Sequence, residues 1–482
     1  MTQPLLPPAF LSSLSRLHGV DAAALASALD DSPTLSIHIS KEKYLRAAGS
    51  MPPASSLVPW ATDGFYLAER PRFTFDPLMH AGAYYVEEPS SMFVEQAWKR
   101  IAADIAPARV LDLCAAPGGK TLMLGSLMSR GLLVSNEVVA RRATVLSENV
   151  AKWGRPDVLV SSATPREFSA LRGFFDVIAT DVPCSGEGMF RKDMDARTEW
   201  SDEAPARCAA RQREIVGDVW PALRDGGYLI YSTCTFNPLE DEDMVEWICT
   251  ALGADVVPVD TTAWPEIAGD TREGGGLPVY HFFPHLTRGE GFFLALLRKQ
   301  SRGDTFAPSR RRKAAPARLL RHAPEADYLT GAGDYSILDD GRSVFALHAS
   351  LADDYAEVAS AVRLLSAGVS IRPSAAAAHG AAHRPSGRVA APLPAASLAL
   401  SQCLRADAFA DMPLDYARVV RYLRGEALTS SGTLPRGAVT VSYRSLRLGF
   451  ANNVGQRLNN AYPATWRIRS TYIPEAQPEL IF

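Results

Sequence analysis

From about Phe75 to Lys299, short apolar runs alternate with longer helical stretches, and that alternation restricts the chain to few architectures. Arg109–Leu113, Leu132–Ser135, Val158–Val160, Phe175–Ala179 and Gly227–Ser232 read as strands. Lys120–Ser129, Ala140–Trp153 and Glu214–Leu223 read as the helices between them. Strands separated by helical crossovers pair in parallel. A doubly wound, Rossmann-like α/β sheet is therefore expected, with Phe292–Leu297 as a late edge strand. The unusual residues of this segment fall just after strand C-termini, the edge at which open α/β sheets bind ligands.

The flanks have a different texture, and 482 residues exceed what one hydrophobic core organises. Residues 1–75 read as a small α+β appendage, with helical spacing over Ala9–Leu29 and strand alternation over Leu35–Ile39. The α/β segment spans 76–300. A basic linker is expected over 301–328, where Arg302, Arg310, Arg311, Arg312, Lys313, Arg318 and Arg321 accumulate. A small intermediate unit ending in an Ala/Pro-rich stretch spans 329–396. The last piece, 397–482, starts helical and continues in short strands with Gly and Asn turns.

Hydrophobic content of 47% and charged content of 21% are those of a soluble globular chain. The net charge of −3 gives no global reason to expect nucleic acid, but the distribution does. Arg436, Arg444, Arg447, Arg457, Arg467 and Arg469 face no acid between 433 and 470. Interleaved with Tyr443, Phe450, Tyr462 and Trp466, they suit phosphate binding plus base stacking. Six cysteines without a Cys-x-x-Cys spacing make neither a disulfide framework nor a zinc site, so no metal is expected. No basic-then-apolar leader and no run of about 18 apolar residues is evident, so no membrane association is expected. A reduced cytoplasm fits and keeps thiols available.

Three loops carry the chemistry. Cys114-Ala115-Ala116-Pro117-Gly118-Gly119-Lys120 follows a strand and opens a helix, so its backbone can approach a ligand closely. It has neither Walker nor Gly-x-Gly-x-x-Gly spacing. Glu137 ends the next strand, where an acid accepts ribose hydroxyls. Asp181-Val182-Pro183-Cys184-Ser185-Gly186 and Ser232-Thr233-Cys234-Thr235 each place a cysteine after a strand, fifty residues apart. Most free cysteines are small buried apolar side chains, which is the reading for Cys208, Cys249 and Cys403. A nucleotide-type loop with two loop cysteines points instead to methyl transfer onto carbon 5 of a pyrimidine. That carbon is a poor nucleophile until a thiolate adds to carbon 6. Pro183-Cys184 has the form of the DNA cytosine methyltransferase nucleophile. The accompanying Glu148-Asn149-Val150, however, lies upstream and inside a predicted helix.

Taken together, these motifs resemble the Sun-type RNA cytosine-5 methyltransferases, and most of all the bacterial ribosomal RNA small-subunit methyltransferase F group. The segment His80–Met92 is similar to the family's entry segment. Tyr422–Glu426, Leu448-Gly449-Phe450 and Leu458–Pro463 resemble its C-terminal PUA-like RNA-binding domain. The resemblance implies a Rossmann-like methyltransferase domain with S-adenosylmethionine as donor. It puts the methionine part at Cys114–Lys120 and the ribose on Glu137, with Arg142 nearby. It assigns Cys234 as nucleophile, Cys184 as the thiol that helps release methylated RNA, and Asp181 to the base's N3. The implied partner is 16S ribosomal RNA or the assembled small subunit, with transfer RNA or a silent RNA-binding scaffold as alternatives. A complete core with its own RNA module makes a monomer the expectation.

Three positions depart from the family pattern. Thr164 stands where an acid usually contacts the adenine edge, His38-Ile39-Ser40 replaces an Arg-x-Asn signature, and Glu87 replaces a Gln.

Overall fold

The computed structural model describes residues 5–301, 317–375, 377, 392–430, 433–470 and 472. Most of the expected basic linker and the Ala/Pro-rich stretch, including Arg302, Arg310–Arg312 and Lys313, lie outside the described residues.

Three strands, β1 (Ser36–Ile39), β2 (Gly64–Tyr66) and β3 (Tyr84–Val86), form an antiparallel sheet in the order β2-β1-β3. Next in the chain come β4 (Arg109–Asp112), β5 (Leu132–Asn136), β6 (Val158–Ser161), β7 (Phe175–Asp181) and β8 (Leu223–Thr233). They pair in parallel as β8-β7-β4-β5-β6, the doubly wound order expected from the alternation. Each is apolar on both faces because both are covered. Val110, Leu133, Val177 and Ile230 pack into one core, and Leu111, Val134, Ile178 and Leu229 into the other. The strand order reverses between β4 and β7, so the ligand crevice opens above Asp112, Asn136, Asp181 and Thr233.

The sheet extends further on both sides. Strands β9 (Ala254–Val256), β10 (Tyr280–Phe282) and β11 (Phe292–Lys299) follow in sequence. β11 is antiparallel to β8 and carries β10 and β9 on its outer side. The expected edge strand is thus interior, since short, poorly patterned strands cover it.

The intermediate region contributes β12 (Arg318–Leu319), β13 (Tyr335–Asp339), β14 (Ser343–His348), β15 (Leu364–Ala367) and β16 (Val369–Pro373). Four of these form the sheet β12-β13-β14-β16. β15 instead pairs antiparallel with β6 and completes the far edge of the central sheet.

The last sheet has the order β17-β19-β20-β21-β18, from Asp411–Pro413 (β17), Leu428–Thr429 (β18), Gly437–Tyr443 (β19), Leu446–Asn453 (β20) and Arg457–Asn460 (β21). Its helix Tyr416–Leu423 shares one core with the N-terminal sheet: Ile37, Ile39, Phe65 and Tyr84 pack with Val419, Tyr422 and Tyr462. The two ends of the chain are therefore joined by burial. Tyr416 Oη also donates to the Phe75 carbonyl at 3.1 Å.

The N-terminal unit is fixed to the central domain at Gly82. This residue has φ +69°, and a Cβ there would lie 2.1 Å from the Lys152 carbonyl oxygen. Lys43 Nζ donates to that same carbonyl at 2.6 Å and to Ala81 O at 3.0 Å. Both the backbone region and the backbone-to-backbone approach require glycine. Gly82→Ala is expected to destabilise the protein by at least about 2 kcal/mol in urea unfolding. An unchanged midpoint would mean that this contact does not hold the units together.

Candidate active site

The two loop cysteines meet because their strands are neighbours in register. Asp181 of β7 stands opposite Ser232 of β8, and each loop leaves its strand within three residues of that pair. Cys184 Sγ and Cys234 Sγ are 3.2 Å apart, as two free thiols. The Cys234 N–H points at Cys184 Sγ at 3.3 Å. Hydrogen bonding to Cys234 and burial push the Cys184 thiol well above its ordinary range. Cys184 thus stays protonated near neutrality and can act as a hydrogen-bond donor to the sulfur beside it. Gly188 secures the second loop by donating from its N–H to the Cys234 carbonyl at 2.9 Å.

Asp181 sits between the loops. Ser232 Oγ donates to its Oδ1 at 2.9 Å, and Lys120 Nζ lies 3.0 Å from its Oδ2. Burial works against the Lys120 charge, but Asp181 and Glu87 outweigh it and raise its pKa. This ion pair links the Gly-rich loop to the cysteine loops.

The Gly-rich loop is held from behind by the helix Ala140–Trp153. Arg142 donates to the Ala116 carbonyl at 2.7 Å, and Asn149 to the Pro117 carbonyl at 2.8 Å. The loop ends at Gly118, whose φ of +126° is a glycine conformation, and Gly119 opens the helix Gly119–Leu127. A Cβ on Gly119 would run into the Glu87 carboxylate, so the Gln-to-Glu departure lies against the loop. Ala115 and Ala116 are buried, and Thr180 Oγ1 donates to Cys114 Sγ at 3.7 Å.

Glu137 ends β5 with its carboxylate buried. Its Oε1 accepts from Val139 N at 2.8 Å, and its Oε2 pairs with Arg142 at 3.3 Å. Each carboxylate oxygen keeps a further lone pair for a ligand hydroxyl. Beside it, Val138 and Val139 are half exposed, an apolar shelf for a flat base. Gly-rich loop, acid and shelf together fit S-adenosylmethionine. Thr164 caps the short helix Pro165–Phe168, and its hydroxyl donates to Glu167 at 2.8 Å. Val138 and Val139 carry no motif, so the sequence does not mark them as site residues.

Beneath the thiols lies a buried polar layer. Glu240, Asp241 and Glu242, three consecutive acids, have no exposed surface. Thr233 Oγ1 donates to Asp241 at 2.6 Å. Glu242 accepts from Thr271 N at 2.7 Å and lies 3.0 Å from His281 Nε2. Gln212, on the helix Ala204–Val219, and Glu240 reach the Cys184 loop itself.

Away from this centre, the C-terminal sheet corrects one expectation. Arg436, Arg444, Arg457 and Arg469 are exposed, but Tyr443, Phe450 and Tyr462 are buried. Those three rings lie in cores shared with the N-terminal sheet and the intermediate region and are not available to stack on bases. Tyr443 and Phe450 turn inward along β19 and β20, whereas Arg436, Arg444 and Arg469 lie outside the strands and face solvent. His38 is likewise buried, stacked 5.4 Å from Trp153, so it makes no RNA contact.

Comparison with known proteins agrees with this architecture. Residues 104–298 match the model of 16S rRNA methyltransferase RsmB/F. Residues 6–89 match the N-terminal domain of 16S rRNA methyltransferase RsmF, and 409–468 the methyltransferase RsmF PUA domain. Ribosomal RNA small subunit methyltransferase F of Salmonella paratyphi A is 32% identical over 420 residues, covering 84% of this chain and 83% of its own length. The protein of the same name from Erwinia tasmaniensis is 29% identical over 441 residues, covering 89% and 88%. The crystal structure of NSun6 from Pyrococcus horikoshii with SFG shares the fold. Its TM-score is 0.50 at 19% identity, covering 62% of this chain and 99% of that one. The chain is thus an S-adenosylmethionine-dependent methyltransferase of the Rossmann-like class. Within that class it belongs to the 16S rRNA methyltransferase RsmB/F family.

One titration is readable in the site's foundation. Asp112 ends β4 under the Gly-rich loop; its Oδ2 accepts from Thr121 at 2.6 Å, while its buried Oδ1 has no partner among the described residues. Burial pushes its carboxyl up to about 7. A raised folded-state pKa means that the group's contribution to stability is whole below its ordinary value near 3.8 and is lost as pH climbs through about 7. The melting temperature of Asp112→Asn relative to the parent should therefore rise between about pH 5 and pH 8. A difference independent of pH would show that Asp112 is already ionised throughout.

Proposed function

We propose that this protein forms 5-methylcytosine in small-subunit (16S) ribosomal RNA, with Cys234 as the nucleophile. The observation that carries this reading is the 3.2 Å approach of the two thiols beside the Lys120–Asp181 pair. Cys114–Lys120, Glu137, Arg142, Thr164 and Asp181 would hold S-adenosylmethionine, which supplies an electrophilic methyl group when bound. The names of the Salmonella and Erwinia relatives favour ribosomal RNA of the small subunit over transfer RNA.

The chemistry follows from the side chains. The Cys234 thiolate adds to C6 of cytosine; the S–C6 bond forms, and the C5=C6 electron pair makes C5 nucleophilic. Asp181, paired with Lys120, stands at N3 as the hydrogen-bond partner of the proton that N3 takes up when C6 is attacked and gives back when the thiolate leaves. C5 takes the methyl group. A base then removes the C5 proton, its bonding pair restores C5=C6, and the C6–S bond breaks to return the Cys234 thiolate. Cys184, held as a thiol, donates a hydrogen bond to the departing sulfur. Attack from above the ring requires a target base outside any stack, in single-stranded or flipped RNA. The exposed arginines of the C-terminal sheet supply phosphate contacts. The protein acts as a monomer in the cytoplasm, where both thiols stay reduced.

Cys234→Ala is expected to abolish 5-methylcytosine, mapped by bisulfite sequencing of unmodified 16S RNA and small subunits treated with enzyme. Cys184→Ala should leave protein on RNA as a denaturant-resistant adduct. Full activity of Cys234→Ala would refute this mechanism. Glu137→Ala should weaken S-adenosylmethionine binding by roughly tenfold or more in calorimetry, and undiminished affinity would remove Glu137 from the donor site.

A further inference from the structure

We infer that Gln212 and Glu240 are positioning residues for Cys184, set to serve the release of methylated RNA rather than methyl transfer; the inference rests on the role of Cys184 proposed above. The two side chains hold the backbone on both sides of that cysteine. Gln212 Nε2 donates to the carbonyl of Pro183 at 3.0 Å, immediately before it. Glu240 Oε2 accepts from the N–H of Ser185 at 3.0 Å, immediately after it. The two are joined to each other, Gln212 Nε2 to Glu240 Oε2, at 2.9 Å. Tyr231 closes the frame, its hydroxyl 3.0 Å from Gln212 Oε1 and 2.6 Å from the Glu240 carbonyl. Gln212, Tyr231 and Glu240 are fully buried.

Such a layout is costly for a merely structural purpose. Burying an amide and a carboxyl requires every contact to be made, and Glu240 Oε1 is left without a partner among the described residues. Burial also pushes the Glu240 carboxyl up to about 8, so near neutrality it is mostly a neutral acid. A neutral carboxyl can be buried here, and its Oε2 still accepts from both Ser185 and Gln212. Among the described residues neither side chain is hydrogen-bonded to Cys234 or Thr235, although Glu240 follows them on the same segment and Ser185 Oγ meets Thr235 Oγ1 at 2.8 Å. The frame therefore bears most directly on where the Cys184 thiol points, while Gly188 holds the Cys234 carbonyl.

During release, the C5–H pair restores C5=C6 as the C6–S bond breaks, and the Cys184 thiol must point at the leaving Cys234 sulfur. Loosening the frame should leave addition and methyl transfer in place and slow elimination. The test uses full-length protein, S-adenosylmethionine and unmodified 16S RNA, with Cys184→Ala as reference. Gln212→Met is expected to keep the single-turnover methylation rate within about threefold, slow multiple turnover by about tenfold or more, and accumulate the denaturant-resistant adduct. Glu240→Ala should behave likewise. Glu240→Gln, which keeps an acceptor for Ser185, should accumulate far less adduct than Glu240→Ala. Thermal melts identify variants that fail to fold, and the Gln–Ala comparison at position 240 then decides. Adduct from Cys184→Ala but none from folded Gln212→Met or Glu240→Ala would overturn this inference alone. Equal loss in single and multiple turnover, without adduct, would do the same. Absence of adduct from Cys184→Ala itself would overturn the role of Cys184 and this inference with it.

Discussion

The register of β7 against β8 is the constraint on which the site depends. Asp181 opposite Ser232 brings Cys184 and Cys234 to the same place above the sheet. A slip of one residue would turn every side chain of one strand to the other face, separating the thiols and breaking the Ser232–Asp181 hydrogen bond at once. Two cores of opposite facing hold that register, since Val177 and Ile178 are buried on different sides. Catalytic geometry and fold stability are here the same requirement.

A second layer of constraint runs perpendicular to the strands. Lys120 ties the Gly-rich loop to Asp181, and Arg142 and Asn149 tie that loop to the helix behind it. The Gly-rich loop and the cysteine loops are thus joined by an ion pair, so the position of one is felt at the other.

Much of this was legible in the sequence because it is local. The strands β4 to β8 are short apolar runs with helical spacers, and the loops that follow them carry Gly, Pro and Cys at their expected places. What escaped reading depends on distant partners. Nothing local in Glu240 to Glu242 shows that the fold encloses them. Gln212 is one polar residue on a helix and shows its purpose only when Pro183 lies opposite. β15 has four residues and no pattern to mark it as an edge of the central sheet. Phe450 and Tyr462 appeared to be stacking platforms because composition records which aromatics accompany arginines, not which way each side chain turns.

The core shared by the N-terminal sheet and the helix Tyr416–Leu423, together with β15 on the central sheet, makes the C-terminal domain part of a closed frame rather than a bead on a tether. An RNA held by that domain is therefore presented at a set distance and angle from Cys234. The frame thus behaves as a caliper whose span is set by the fold, and Gly82, remote from either thiol, is one of the residues that fix it.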